Sequence, residues 1–249
     1  MTTTDSKLWG ETHETLPGAT TEGQIKAFRA SKRGELYTQS ISKGTLALAK
    51  EGSSFLATTP TPGTGIAGIA AANGYVATEA LCTIRNTASA GDTAKRLYID
   101  YIKLQPTVAG ANGTNITYAT HKDKGNSRWA SGGTAYTAVN MDLGSDVSTN
   151  AGVHFGALVT DAATADVVKL QSGNLRTAIA VVGDETVLDF GGGQAPGASS
   201  LFEGTLICKQ VVRHVPVVLN PGEELILTVN AASQSGATSF EFEVCFWER

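Results

Sequence analysis

Ser239-Phe-Glu-Phe-Glu-Val-Cys-Phe-Trp247 decides the fold. Phe240, Phe242 and Val244 alternate with Glu241 and Glu243, the period-2 pattern of a strand with one buried and one wet face. Just upstream, Gln210-Val-Val-Arg-His-Val-Pro-Val-Val-Leu219 and Glu224-Leu-Ile-Leu-Thr-Val-Asn230 read as two more strands about Asn220-Pro221-Gly222-Glu223. Proline presets one turn dihedral and glycine accepts the positive φ of the next position, so Pro-Gly between β-branched runs is a strong turn signal. The chain is expected to finish as antiparallel sheet.

Working toward the N-terminus, the same texture recurs. Thr186–Phe190, Thr177–Val182, Val167–Leu170, Val153–Thr160 and Ile116–Thr120 are short apolar runs separated by turn residues. Lys95–Leu104 and Ala80–Asn86 flank the turn Ser89-Ala-Gly-Asp92, and Leu46–Leu56 and Glu35–Ile41 read as the first two strands. Between them, Thr58–Gly65, the Ala/Gly-rich Ile66–Gly74 and the polar His121–Gly133 read as loops. No stretch keeps a helical period over three turns. About ten strands at short spacing with Gly-rich connections predict an all-β chain, an antiparallel sandwich or barrel. Residues 1–34 differ in texture and read as an extended N-terminal arm, with the β domain over 35–249.

Composition narrows the function classes. The 249 residues suffice for a substantial core, yet only 17% are charged and 28 are glycine. A net charge of −4 argues against a direct nucleic-acid binder, whose domain is usually basic. No apolar run approaches the roughly 18 residues of a membrane span. The first residues, Met1–Lys7, lack the basic-then-apolar profile of a secretory signal, which predicts synthesis in a reducing cytoplasm. Cys82, Cys208 and Cys245 form no CxxC pair and read as thiols behaving as small apolar residues.

Reactive constellations are sparse. His13, His121, His154 and His214 show no HxH or HExxH spacing, so no metal is expected. No Gly-x-Ser-x-Gly elbow places a serine on a strained turn. Gly191-Gly-Gly-Gln-Ala-Pro-Gly197 lacks the Lys-Ser/Thr pair of a phosphate loop and reads as an inter-strand loop. No catalytic residue and no cofactor site is expected. Two surface features remain. Lys26, Arg29, Lys32 and Arg33 put four positive charges into the arm, where Trp9 and Phe28 need something to pack on. Arg128, Trp129 and Tyr136 make the 118–137 region the most aromatic polar stretch, fit to anchor an interface or to pack beneath a loop.

Three segments resemble the jelly-roll structural proteins of tailed bacteriophages. They are Arg33-Gly-Glu-Leu-Tyr-Thr-Gln39 after the basic arm, Arg128-Trp-Ala-Ser-Gly-Gly-Thr134 leading to Ala138-Val-Asn-Met141, and Val217-Val-Leu-Asn-Pro-Gly-Glu-Glu224 with the terminal strand. The resemblance implies a jelly-roll β-sandwich and a non-enzymatic virion role, a head decoration or cement protein made in the host cytoplasm. It also implies a homo-oligomer, a trimer by preference, that contacts the major capsid protein or another virion protein. The alternative is a receptor- or glycan-binding module of a phage tail or fibre, in which Trp129 and Tyr136 would line a groove.

Overall fold

The computed structural model describes residues 49, 51–68, 76–89, 95–124, 128–161, 167–191 and 210–249. In chain order the strands are β1 (Ser54–Thr58), β2 (Ile66–Ala67), β3 (Glu79–Asn86), β4 (Leu97–Val108), β5 (Thr114–Asp123), β6 (Trp129–Tyr136) and β7 (Val139–Asn140). They continue with β8 (Ala151–Thr160), β9 (Val167–Arg176), β10 (Thr186–Asp189), β11 (Gln210–Arg213), β12 (Val217–Leu219), β13 (Glu224–Ala232) and β14 (Ser239–Glu248). One sheet runs β11-β10-β4-β14-β1-β7, with β12 also on β4 and β2 on β14; the other runs β6-β8-β3-β13-β5-β9. The pairs are antiparallel except β10–β11. Apart from Ala49, the regular structure among the described residues is all β, two sheets packed over one core, compatible with the expected sandwich.

The terminal strand behaves as its alternation predicts. Phe240, Phe242, Val244 and Phe246 are buried and the residues between them half-buried. Phe242 joins the sheets, stacking on Phe155 of β8 at 4.1 Å and meeting Tyr136 of β6 edge-on at 4.7 Å, while Phe246 stacks on its cross-strand neighbour Phe55 at 5.7 Å within its own sheet. Leu81, Ile84, Leu225 and Leu227 complete the layer from the facing sheet. Such burial of apolar surface is the main favourable term in folding.

The opposite face of β14 is not simply wet. Glu243 accepts the Tyr101 hydroxyl and sits 2.7 Å from Lys103 Nζ, which also lies 3.5 Å from Glu185. Burial works against the Lys103 charge, but Glu243 and Glu185 outweigh it and hold its pKa above the ordinary value. Glu241 only accepts the Gly63 amide at an exposed position. Glu243→Ala is therefore expected to cost about 1–2 kcal/mol by chemical denaturation, through lost charged hydrogen bonds. Glu241→Ala should stay within about 0.5 kcal/mol. Equal losses would mean that the Glu243 network contributes nothing.

Four elements differ from expectation. Leu46–Leu56 does not form one strand: Ala49 is helical, a turn follows at Gly52 (φ 66°), and β1 starts only at Ser54. The expected loop 121–133 is largely sheet, because β5 runs to Asp123 and β6 starts at Trp129. Thr177–Val182 is irregular, while β9 extends unbroken to Arg176. Gln210–Leu219 is split at His214-Val215-Pro216, since proline cannot donate to the ladder.

The Pro-Gly turn forms, with Gly222 at φ 84° and the Glu223 amide donating to Asn220 O at 2.9 Å. Burial works against the Glu223 carboxylate, but Lys122 at 2.7 Å and the Asn220 donors hold its pKa below the usual value. This turn is no hairpin. It passes the chain from β12 in one sheet to β13 in the other, and β13 in turn is followed by β14 back in the first.

Candidate functional site

Of the residues singled out in the sequence, Trp9, Lys26, Phe28, Arg29, Lys32 and Arg33 lie outside the described residues, as does the 34/35 boundary of the arm. The other three are placed, and all three hold the fold together. Arg128 is buried; its Nη2 donates to Asp161 O (2.8 Å) and Ala77 O (2.9 Å), and its backbone amide donates to Glu224 Oε2 (2.7 Å). Glu224 is wholly buried, and burial raises its pKa against the two amides and the Arg85 charge that lower it. Trp129 stacks on His154 at 4.0 Å and packs over Ala80, Leu158 and Ile226, covering part of the outer face of the six-stranded sheet. Tyr136 turns inward against Phe242. Trp129 and Tyr136 therefore do not line a common groove.

Reactive groups are quiet. Cys82 is buried and Cys245 half-buried, both free; burial raises both thiols, Cys245 to about 12, so neither is a thiolate at neutral pH. Cys208 lies outside the described residues. His214 stacks on Phe190 at 4.7 Å and is pushed down to about 4 by burial, so it is neutral. Among the described residues no three His, Cys, Asp or Glu side chains converge to hold a metal.

Two surface features escaped the sequence reading. The first is the tip that follows β7. Met141, Leu143 and Val147 stand exposed there beside Val139, with Leu143 at 86% exposure. The loop is pinned from within. Asn140 Nδ2 donates to Gly52 O (2.8 Å) and Val147 O (3.1 Å), Asn140 Oδ1 accepts the Asp142 amide, and Asp142 Oδ1 accepts the Gly144 amide. Farther on, Glu248 accepts from Asn150 Nδ2 (2.7 Å) and Thr149 Oγ1 (2.9 Å). A tied loop presents its apolar side chains in one geometry, which lowers the ordering cost of a contact.

The second is a cleft of about 530 Å³ on the outer face of β9-β5-β13. Register places its walls in three rungs: Asn230–Thr117–Asn174, Thr228–Ala119–Ser172 and His121–Lys169. The small Ala119 in the middle rung leaves the floor hollow. Comparison with protein-family models, curated proteins and solved structures finds no match for this chain.

Proposed function

We propose that this chain is a virion structural protein, a capsid decoration or cement protein that works by association and not by catalysis. The strand orders support the jelly-roll form of sandwich. β1-β14-β4-β10 in one sheet and β3-β13-β5-β9 in the other follow the interleaved order expected of two paired Greek keys. On this reading β6, β7 and β8 are an insertion that widens both sheets beyond β3 and β1.

The observation that carries the associative role is the pinned apolar tip. Monomeric proteins rarely hold several large apolar side chains half or more exposed on one rigid loop unless something docks there. The strand edges are poorer candidates. β6 has register shifts at Trp129/Ser131 and Gly132/Thr134, and bulges of that kind blunt edge-to-edge pairing. Copies of the chain then meet through the tip, three by preference, while the basic residues Lys26, Arg29, Lys32 and Arg33 face an acidic shell partner. Several weak contacts per oligomer add avidity that one lacks.

Light-scattering mass across a dilution series tests this. The parent chain is expected to be oligomeric at micromolar concentration, and Leu143→Asp to weaken association by at least about tenfold, a loss of roughly 1.4 kcal/mol. A parent that stays monomeric overturns the associative reading. A parent oligomer indifferent to Leu143→Asp removes the tip from it. The cleft on the other sheet is the specific observation that favours the second reading, a glycan-binding module.

A further inference from the structure

The three rungs of the cleft separate its chemistry along the strands. At one end stand the amides of Asn230 and Asn174 with the Thr117 hydroxyl; at the other stands the Lys169 ammonium beside His121. Four residues of extended chain separate these ends, about 13 Å, and three strands span about 10 Å across. That footprint, with a volume of about 530 Å³, falls in the range of small-ligand sites.

The donors are available. Ser172, Asn174 and Lys169 are exposed. Asn230 is buried at the cleft wall, and its backbone carbonyl accepts the Thr117 hydroxyl. Each amide offers both a donor pair and an acceptor, the combination that a vicinal diol engages with both of its own functions. The charge at the far end is positive. Lys169 has no carboxylate partner within ion-pair distance among the described residues, and His121 is held neutral by burial, Arg128 and Lys169 itself. Tyr118 borders the cleft but sends its ring to the core side, where Gln171 Nε2 donates to its hydroxyl at 3.1 Å.

We propose that this cleft binds a short acidic saccharide, its carboxylate on Lys169 and its hydroxyls on the Asn174, Asn230, Ser172 and Thr117 side chains. The site is independent of the virion reading, since it shares no residue with the tip. Amides and hydroxyls arrayed at strand spacing match repeated hydroxyls better than a compact oxyanion, which one or two donors would satisfy. The single cation orients the chain by pairing with one end.

The test is a titration of the full chain with digalacturonate, neutral galactobiose and acetate, followed by amide chemical shifts and calorimetry. Digalacturonate is expected to bind with a Kd near or below about 1 mM and to shift the resonances of Asn174, Asn230 and Lys169. Galactobiose should bind at least about tenfold more weakly, and Lys169→Ala should remove that difference while leaving the fold intact, because Lys169 is exposed. Asn174→Ala should weaken both sugars alike. Absence of digalacturonate binding at about 10 mM overturns the proposal. So does equal binding by the parent and a Lys169→Ala/Asn174→Ala double variant, or acetate shifts matching those of the sugar, which would leave a bare anion site.

Discussion

Phe242→Ala is expected to cost about 3–5 kcal/mol through lost transfer energy plus a cavity that its neighbours cannot fill. Phe242 is buried from both directions. It stacks on Phe155 at 4.1 Å across the sandwich, meets Tyr136 edge-on, and is held in register opposite Leu104 on β4. Those partners come from three different strands of the two sheets, so no single shift closes the space. The loss is a large fraction of the roughly 5–15 kcal/mol that holds a typical domain. Chemical denaturation at one fixed protein concentration measures it, because an oligomer would otherwise make the midpoint concentration-dependent. Glu241→Ala on the same strand serves as the control. A loss below about 1 kcal/mol at Phe242 would mean that the two sheets do not meet through β14.

β14 was legible in the sequence because period-2 alternation depends only on having a core on one side. What it pairs with was not. β13 and β14 follow each other in the chain yet lie in different sheets, bonded to β3 and β5 on one side and to β1 and β4 on the other. Turn residues fix where a strand stops; partners far away in sequence fix where the next one goes. β6 was missed for a local reason. Trp129-Ala-Ser-Gly-Gly-Thr-Ala-Tyr136 is poor in β-branched residues, and its two glycines read as a loop. Those glycines, at φ 80° and 67°, instead sit at the second of the two register shifts along β8, where a Cβ on Gly132 would come 2.4 Å from Ala157 O. The cleft was illegible for the same reason as the pairing. Thr117, Lys169 and Asn230 lie in three separate runs read as strands, Asn174 falls between two such runs, and only register assembles them. The polar alternation Thr117-x-Ala119-x-His121 and Thr228-x-Asn230 inside apolar strands was the available signal.

Asp100→Asn should stabilise the protein at pH 7.5 and leave it unchanged at pH 3.5. Asp100 is the unopposed residue at the register shift between Cys245 and Phe246; it is only 2% exposed, and its Oδ1 has no hydrogen-bond partner. Burial, and second the charge of Asp189, raise its pKa from 3.8 to about 6. The folded chain thus keeps this proton over a range in which the unfolded chain has released it. Stability from this group is intact below 3.8, falls as pH rises through about 6, and stays low above. A shift of about two units corresponds to roughly 3 kcal/mol at most, and partial relaxation around the carboxylate reduces the expected gain from asparagine to about 1–2 kcal/mol. Asp189 itself accepts the Gly191 amide at 2.9 Å and lies 3.5 Å from Arg213 Nη1. The absolute pH profile would hide the effect. Nearby His214, pushed from 6.5 down to about 4 by burial against the opposing pull of Asp189, adds a slope of opposite sign: its neutral folded form loses stability as pH falls through that window. The quantity to measure is therefore the difference between variant and parent unfolding free energies from pH 3.5 to 7.5. It should rise from near zero to a plateau above about pH 6, with its midpoint between the unfolded and folded pKa of Asp100. A difference that does not vary with pH, or a variant less stable than the parent at pH 7.5, would mean that the ionised carboxylate is held by a favourable partner and that the bulge is stabilised by the charge it buries.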